Sequence, residues 1–167
     1  MAELTPATVT DLLGLEPLHH EGGAYRRTWG DAHGTVIYFL LAADDASAWH
    51  RLPGVEVWHH YLGDPVRLLL LTPDGAAHEH ILGPDLVAGQ RPQVVVEAGV
   101  WMAAISTGTM SLMGTTMAPP YDQAGFELAD PRALAASHPQ ARDAIVEVAA
   151  RSAEVLRAAG FGPPDPP

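Results

Sequence analysis

Between residues 21 and 120 the apolar positions come in short runs, separated by the turn clusters GDAHG (30–34), LPG (52–54), GDP (63–65), TPDG (72–75) and GPD (83–85). Runs of that length, bounded by glycine, proline and aspartate, mark strands and not helices. They predict strands at 25–29, 35–41, 56–61, 66–71, 77–81, 93–96, 102–107 and 110–117. With no helical pattern between them, the strands imply an antiparallel sandwich or barrel in place of βαβ units. A small barrel of this kind fills one face of each strand with apolar side chains and still holds one ligand among them.

Helical spacing appears only at the two ends. Thr5 is placed to cap a short helix with Pro6 at its first position; Val9, Leu12 and Leu13 supply a buried face and Gly14 ends it. A longer helix is expected over about 139–159, where Ala144, Ile145, Val148, Ala149, Val155 and Leu156 recur at helical intervals until Gly160. Its apolar stripe is expected to pack on the outside of the sandwich or on a second subunit, and the closing FGPPDPP is expected to fray. The 167 residues thus read as one domain, with its core at about 18–130.

Composition narrows the chemistry. The absence of cysteine excludes disulfides, a thiolate nucleophile and cysteine-ligated zinc or iron–sulfur centres. Nine basic residues, all arginine, against twenty acidic ones leave a formal charge of -11, a field that repels phosphate backbones, so nucleic acid is not an expected partner. A local pocket for a small anion is compatible with that field. No segment approaches the roughly twenty apolar residues of a membrane span, and the first residues lack a basic start followed by an apolar run. The expectation is a cytoplasmic protein without a membrane partner.

Reactive residue types concentrate in SAWHRLPGVEVWHHYLGDP, residues 47–65. A period of two places Glu56, Trp58 and His60 on one strand face and Val57, His59 and Tyr61 on the other. If the first face points inward, a carboxylate, an indole and an imidazole line one wall, and His50, across the LPG turn, converges on Glu56. His50, Glu56 and His60 have the chemistry of an acid–base set and equally that of a divalent-metal site. Sequence leaves both open, together with a purely structural reading in which His50 caps a turn and His60 pairs with Glu56.

Two further stretches point to the same cavity. In LHHEGGAYRRT (18–28), Gly22 and Gly23 permit a tight turn or close ligand approach, Glu21 adds a carboxylate, and alternation puts Tyr25 and Arg27 on one inward face. Arg27 is then a clamp for a carboxylate or phosphate, with a surface position the alternative. In RPQVVVEAGVWMAAISTG (91–108), Gln93 offers an amide to the cavity, and Trp101 is cavity wall or core. Tyr121 and Asp122, in MAPPYDQAGFEL (117–128), are placed to close the mouth.

Taken jointly, HHEGGAYRRT, IYFLL, SAWHRLPGVEVWHHYLG, LGPDL, PQVVVEAGVWMAA and FELA resemble the cupin superfamily, and within it the small DUF985 branch, over roughly residues 11–140. The resemblance implies an all-β double-stranded β-helix, or jelly roll, commonly a homodimer. Matched to the first general cupin motif, His50 takes the first metal histidine, Leu52 the second, Glu56 the glutamate and Gly63 the final glycine. In the second motif Gly99 matches the glycine, Glu97 stands at the proline and Met102 at the last histidine; within the branch a glutamine commonly holds the Met102 position. Two of the four usual ligands are thus replaced, and His60 is the substitute that would complete a set with His50 and Glu56. The expected cofactor is none or one divalent metal. The expected function is binding of a small polar metabolite with acid–base chemistry of the epimerase, isomerase or cyclase type, in architecture similar to the deoxysugar epimerase-like cupins. Here His50 moves the proton, Glu56 orients it, and Arg27 or Gln93 steadies negative charge. The alternatives are a nonenzymatic metabolite-binding protein, a metal-dependent enzyme and a partner-binding dimer.

Overall fold

The computed structural model describes residues 4–163; the terminal PDPP, part of the tail expected to fray, lies outside the described residues. The chain runs through α1 (Pro6–Leu13), β1 (Glu16–Pro17), β2 (Ala24–Gly30), β3 (Thr35–Ala42), β4 (Ala46–Arg51), β5 (Glu56–Gly63), β6 (Val66–Leu71) and β7 (Ala77–Leu82). It continues through β8 (Gln93–Val96), β9 (Trp101–Ser106), β10 (Met110–Met117), β11 (Glu127–Leu128), α2 (Pro131–Ser137), α3 (Arg142–Arg151) and α4 (Ala153–Ala158). One antiparallel sheet has the order β1-β2-β3-β10-β5-β8 and the other β11-β4-β9-β6-β7. This is the expected jelly roll, with each predicted strand present.

Burial explains the textures. Leu68 and Leu70 of VRLLLL face the space between the sheets, beside Phe39, Trp58, Met102 and Met113. Leu69 and Leu71 face the opposite way, against Leu134, Ile145 and Val148 of α2 and α3. A strand covered on both faces reads as a continuous apolar run and not as alternation. On the outer face of the six-stranded sheet α1 sets Val9 against Leu40, Met110 and Leu112. Thr5 caps it, its side chain accepting from the Thr8 N–H at 3.2 Å, and Gly14 closes it at φ 60°.

Besides the two-residue strands β1 and β11, which are additional, three elements differ from the sequence expectation. β4 is an additional strand: ASAWHR is buried at five of its six positions, so it has no polar alternation to mark it. α2 is an additional helix, capped by the Asp130 carboxylate, which accepts from Arg132 N–H at 3.0 Å. The single helix expected over 139–159 is a 3₁₀ turn at Pro139–Ala141 followed by α3 and α4, interrupted at Ser152, whose φ of -103° and ψ of 18° leave the helical region.

The loop before β2 is seated by its glycines. Gly22 has φ 107° and Gly23 φ 70°; a Cβ on Gly22 would run into the Ala46 carbonyl, and one on Gly23 would crowd the Leu40 carbonyl oxygen at 2.7 Å. Only glycine fits such close approach at positive φ. The Ala48 N–H donates to the Glu21 carbonyl at 2.8 Å, which ties this strap to β4 and fixes His20 and Glu21 at the cavity.

Candidate functional site

A cavity of about 270 Å³ opens between β2, β3, β5 and β10 on one side and the segments around residues 18–21 and 121–123 on the other. Its walls are apolar, from Leu18, Ile37, Phe39, Leu52 and Met117; its polar groups are Glu21, Glu56 and Thr115 inside and Tyr25, Arg27, Tyr121 and Asp122 toward solvent.

Glu56 occupies the floor. It pairs with Met117 of β10 and Val96 of β8, which turns it inward, and it is 6% exposed. Trp58, two residues on and on the same face, donates its indole N–H to Glu56 Oε2 at 3.0 Å. Burial pushes the carboxyl up to about 7, with help from the neighbouring Glu21 charge; His50 and the hydrogen bonds from Thr115 and Trp58 oppose that rise. Glu21 accepts from Ser47 Oγ at 2.7 Å and lies 4.0 Å from His50 Nε2.

His50 is 1% exposed and is not part of the cavity wall. Its Nδ1–H donates to the Ala48 carbonyl at 2.8 Å, which directs Nε2 at Glu21, and Phe126 stacks on the ring at 5.2 Å and 19°. The imidazole therefore acts on the two carboxylates from behind and does not present itself to a ligand.

At the mouth Tyr121 donates to Gln123 Oε1 at 2.9 Å and receives His20 Nε2 at 3.1 Å. Burial, then the Glu21 and Glu56 charges, hold the phenol above its ordinary range, and burial lowers His20. His20 is a lining residue that sequence reasoning missed, although its partner in the same tract, Glu21, was identified. A signal existed in the two glycines that follow, which place the whole HHE segment at the cavity. Arg27 is exposed and has no ion pair among the described residues.

The cavity thus brings together Glu21, Tyr25, Arg27, Glu56, Tyr121 and Asp122 from the expected set. The rest lie elsewhere. Trp58 is 1% exposed in the core behind the floor, edge-on to Phe39 at 5.8 Å. His60 keeps the Glu56 row, opposite Met113, but stands four residues further along β5, beyond Trp58; its Nε2 meets the Asp64 carbonyl at 3.2 Å, at the β5–β6 turn. Gln93 pairs with His59, so it shares the outer face with it, its Nε2 3.4 Å from His59 Nδ1. Trp101 pairs with Leu71 and so faces the helices, with the Arg51 guanidinium 4.5 Å over its ring.

The donor set does not suit a metal. Leu52 and Met102, at the two substituted ligand positions, are 3% and 1% exposed within the apolar core, and His60 does not reach His50 and Glu56. Among the described residues no three His, Asp or Glu side chains gather closely enough to hold an ion. Nor is any helix among them long and apolar enough to cross a membrane.

Comparison with solved structures places this architecture. A crystal structure of a protein from Shewanella oneidensis is 30% identical, covering 87% of this chain and 98% of that one at a TM-score of 0.82. A hypothetical protein from Leishmania major is 24% identical, covering 85% and 97% at a TM-score of 0.79. Oxalate decarboxylase from Bacillus subtilis shares the fold alone, with 15% identity over 72% of this chain and 31% of that one, at a TM-score of 0.54. None of the curated proteins matches the sequence. The family described as cupin superfamily (DUF985) matches residues 7–129, the span from α1 to the close of β11, and the chain belongs to it.

Proposed function

We propose that the cavity is a substrate site in which Glu56 exchanges a proton with a small polar metabolite, in a reaction of the epimerase, isomerase or cyclase type. The observation that carries this reading is a carboxyl group buried on the cavity floor with its pKa lifted to about 7. Such a group gives and takes a proton with similar ease at neutral pH, whereas an ordinary carboxylate is too weak a base. The Trp58 indole N–H holds Oε2 in one orientation. His50 moves from the role of proton carrier to that of a positioning residue, since Phe126 covers it and its influence on Glu56 is electrostatic. Arg27 stabilises negative charge on the substrate.

The test is hydrogen exchange. The protein is incubated in D₂O with short hydroxy- and oxo-acids, and loss of the proton signal next to the carbonyl is followed by NMR. Wild type is expected to exchange at least one of them, and Glu56→Gln to do so slower by about 100-fold or more. Exchange at the buffer rate throughout, or equal rates in both proteins, overturns the proposal.

A further inference from the structure

We infer that the ligand is a small amphipathic monocarboxylate, bound with its carboxylate on Arg27 at the mouth, its hydrocarbon section between the apolar walls, and a hydroxyl or carbonyl group on Glu56. The inference rests on reading the cavity as a substrate site, and it concerns recognition and not the proton step.

The anionic end follows from Arg27. The chain carries more than twice as many acidic as basic residues, and Arg51, Arg67 and Arg151 each pair with a glutamate. Arg27 shares its cavity with Glu21, Glu56 and Asp122 and pairs with none of them. A guanidinium left without a partner among so many carboxylates offers a planar two-pronged donor to a carboxylate brought by a ligand.

The count of one negative charge follows from the floor. A second anionic group would stand against Glu21 and Glu56 in a poorly solvated space, where like charges repel strongly. The middle of the ligand follows from the walls: Ile37, Phe39, Leu52 and Met117 offer no hydrogen bond and match C–H surface. A cavity of about 270 Å³ corresponds to about nine waters at ~30 Å³ each, so the ligand has on the order of ten non-hydrogen atoms.

Calorimetric titration of the full chain with three probes tests this: 3-hydroxybutyrate, its neutral counterpart butane-1,3-diol, and the dicarboxylate succinate. Wild type is expected to bind 3-hydroxybutyrate about tenfold or more tighter than either other probe. Arg27→Gln is expected to abolish the preference over the diol, and Glu56→Gln to narrow the discrimination against succinate. Both variants are checked for an unchanged far-UV spectrum. Equal binding of acid and diol by wild type, undiminished binding of the acid by Arg27→Gln, or no saturable binding of any probe overturns the inference. These readouts are equilibrium affinities, so failure of the proton-transfer proposal leaves them in place. Their failure with Glu56-dependent exchange intact removes the ligand class alone.

Discussion

At the scale of single residues, the acidity of Glu56 is a balance. Burial and Glu21 raise its pKa; His50, Thr115 and Trp58 restrain the rise. Replacing His50 by glutamine removes one restraint, so the Glu56 carboxyl is expected to titrate at higher pH, read directly from its ¹³C carboxyl shift. An unmoved titration would detach His50 from the site. The same raised pKa links to stability. A carboxyl that ionises near 4.5 unfolded and near 7 folded holds its proton longer in the native state. Its contribution is complete below the unfolded value and is lost as pH climbs from about 4.5 to 7, a loss of about 3 kcal/mol. Urea unfolding of wild type is expected to show that decline across the window, and Glu56→Gln to be flatter there. Glu56 was legible in the sequence because a period of two from Val57 fixes its face. The place of His60 was not, since alternation gives its row but not how far along β5 the cavity reaches; nor were the faces of Gln93 and Trp101, which depend on which residue of the neighbouring strand stands opposite. That information belongs to the pairing and not to the strand itself.

At the scale of elements, the strap of residues 18–23 joins sequence to site. Its two glycines were visible as punctuation, but their reason, close approach to the Ala46 and Leu40 carbonyls, needs the strands they lie on. Gly22→Ala combines an unfavourable φ of 107° with a collision against fixed backbone, and is expected to destabilise by about 3 kcal/mol. Chemical denaturation measures it, and a cost below 1 kcal/mol would mean the strap is not seated as described. The cap of α1 makes a gentler case: Thr5→Ala is expected to cost about 1 kcal/mol. Eight strands were readable from turn chemistry. β4 was not, because a strand covered on both faces has no alternation, and the break at Ser152 was not, because an interrupted stripe keeps its helical spacing on either side of the interruption.

At the scale of the whole molecule, the two sheets divide the work. The six-stranded sheet carries Glu56, Arg27 and the apolar walls, while the five-stranded sheet carries His50 and, through β11, the segment that ends in Phe126. The depleted donor set belongs to this scale too, since the substituted cupin positions, Leu52 just after β4 and Met102 on the neighbouring β9, carry apolar side chains buried in the core. Dialysis against EDTA is accordingly expected to leave the melting temperature unchanged; a drop of several degrees would reveal a bound ion. The sandwich packing has one more consequence. Carboxyl and imidazole ride on opposite slabs, so the gap between them is held open or closed by the aliphatic filling in the middle. A methylene removed there, far from any bound molecule, lets the slabs settle, and the protein would register a mechanical adjustment as a change in proton affinity.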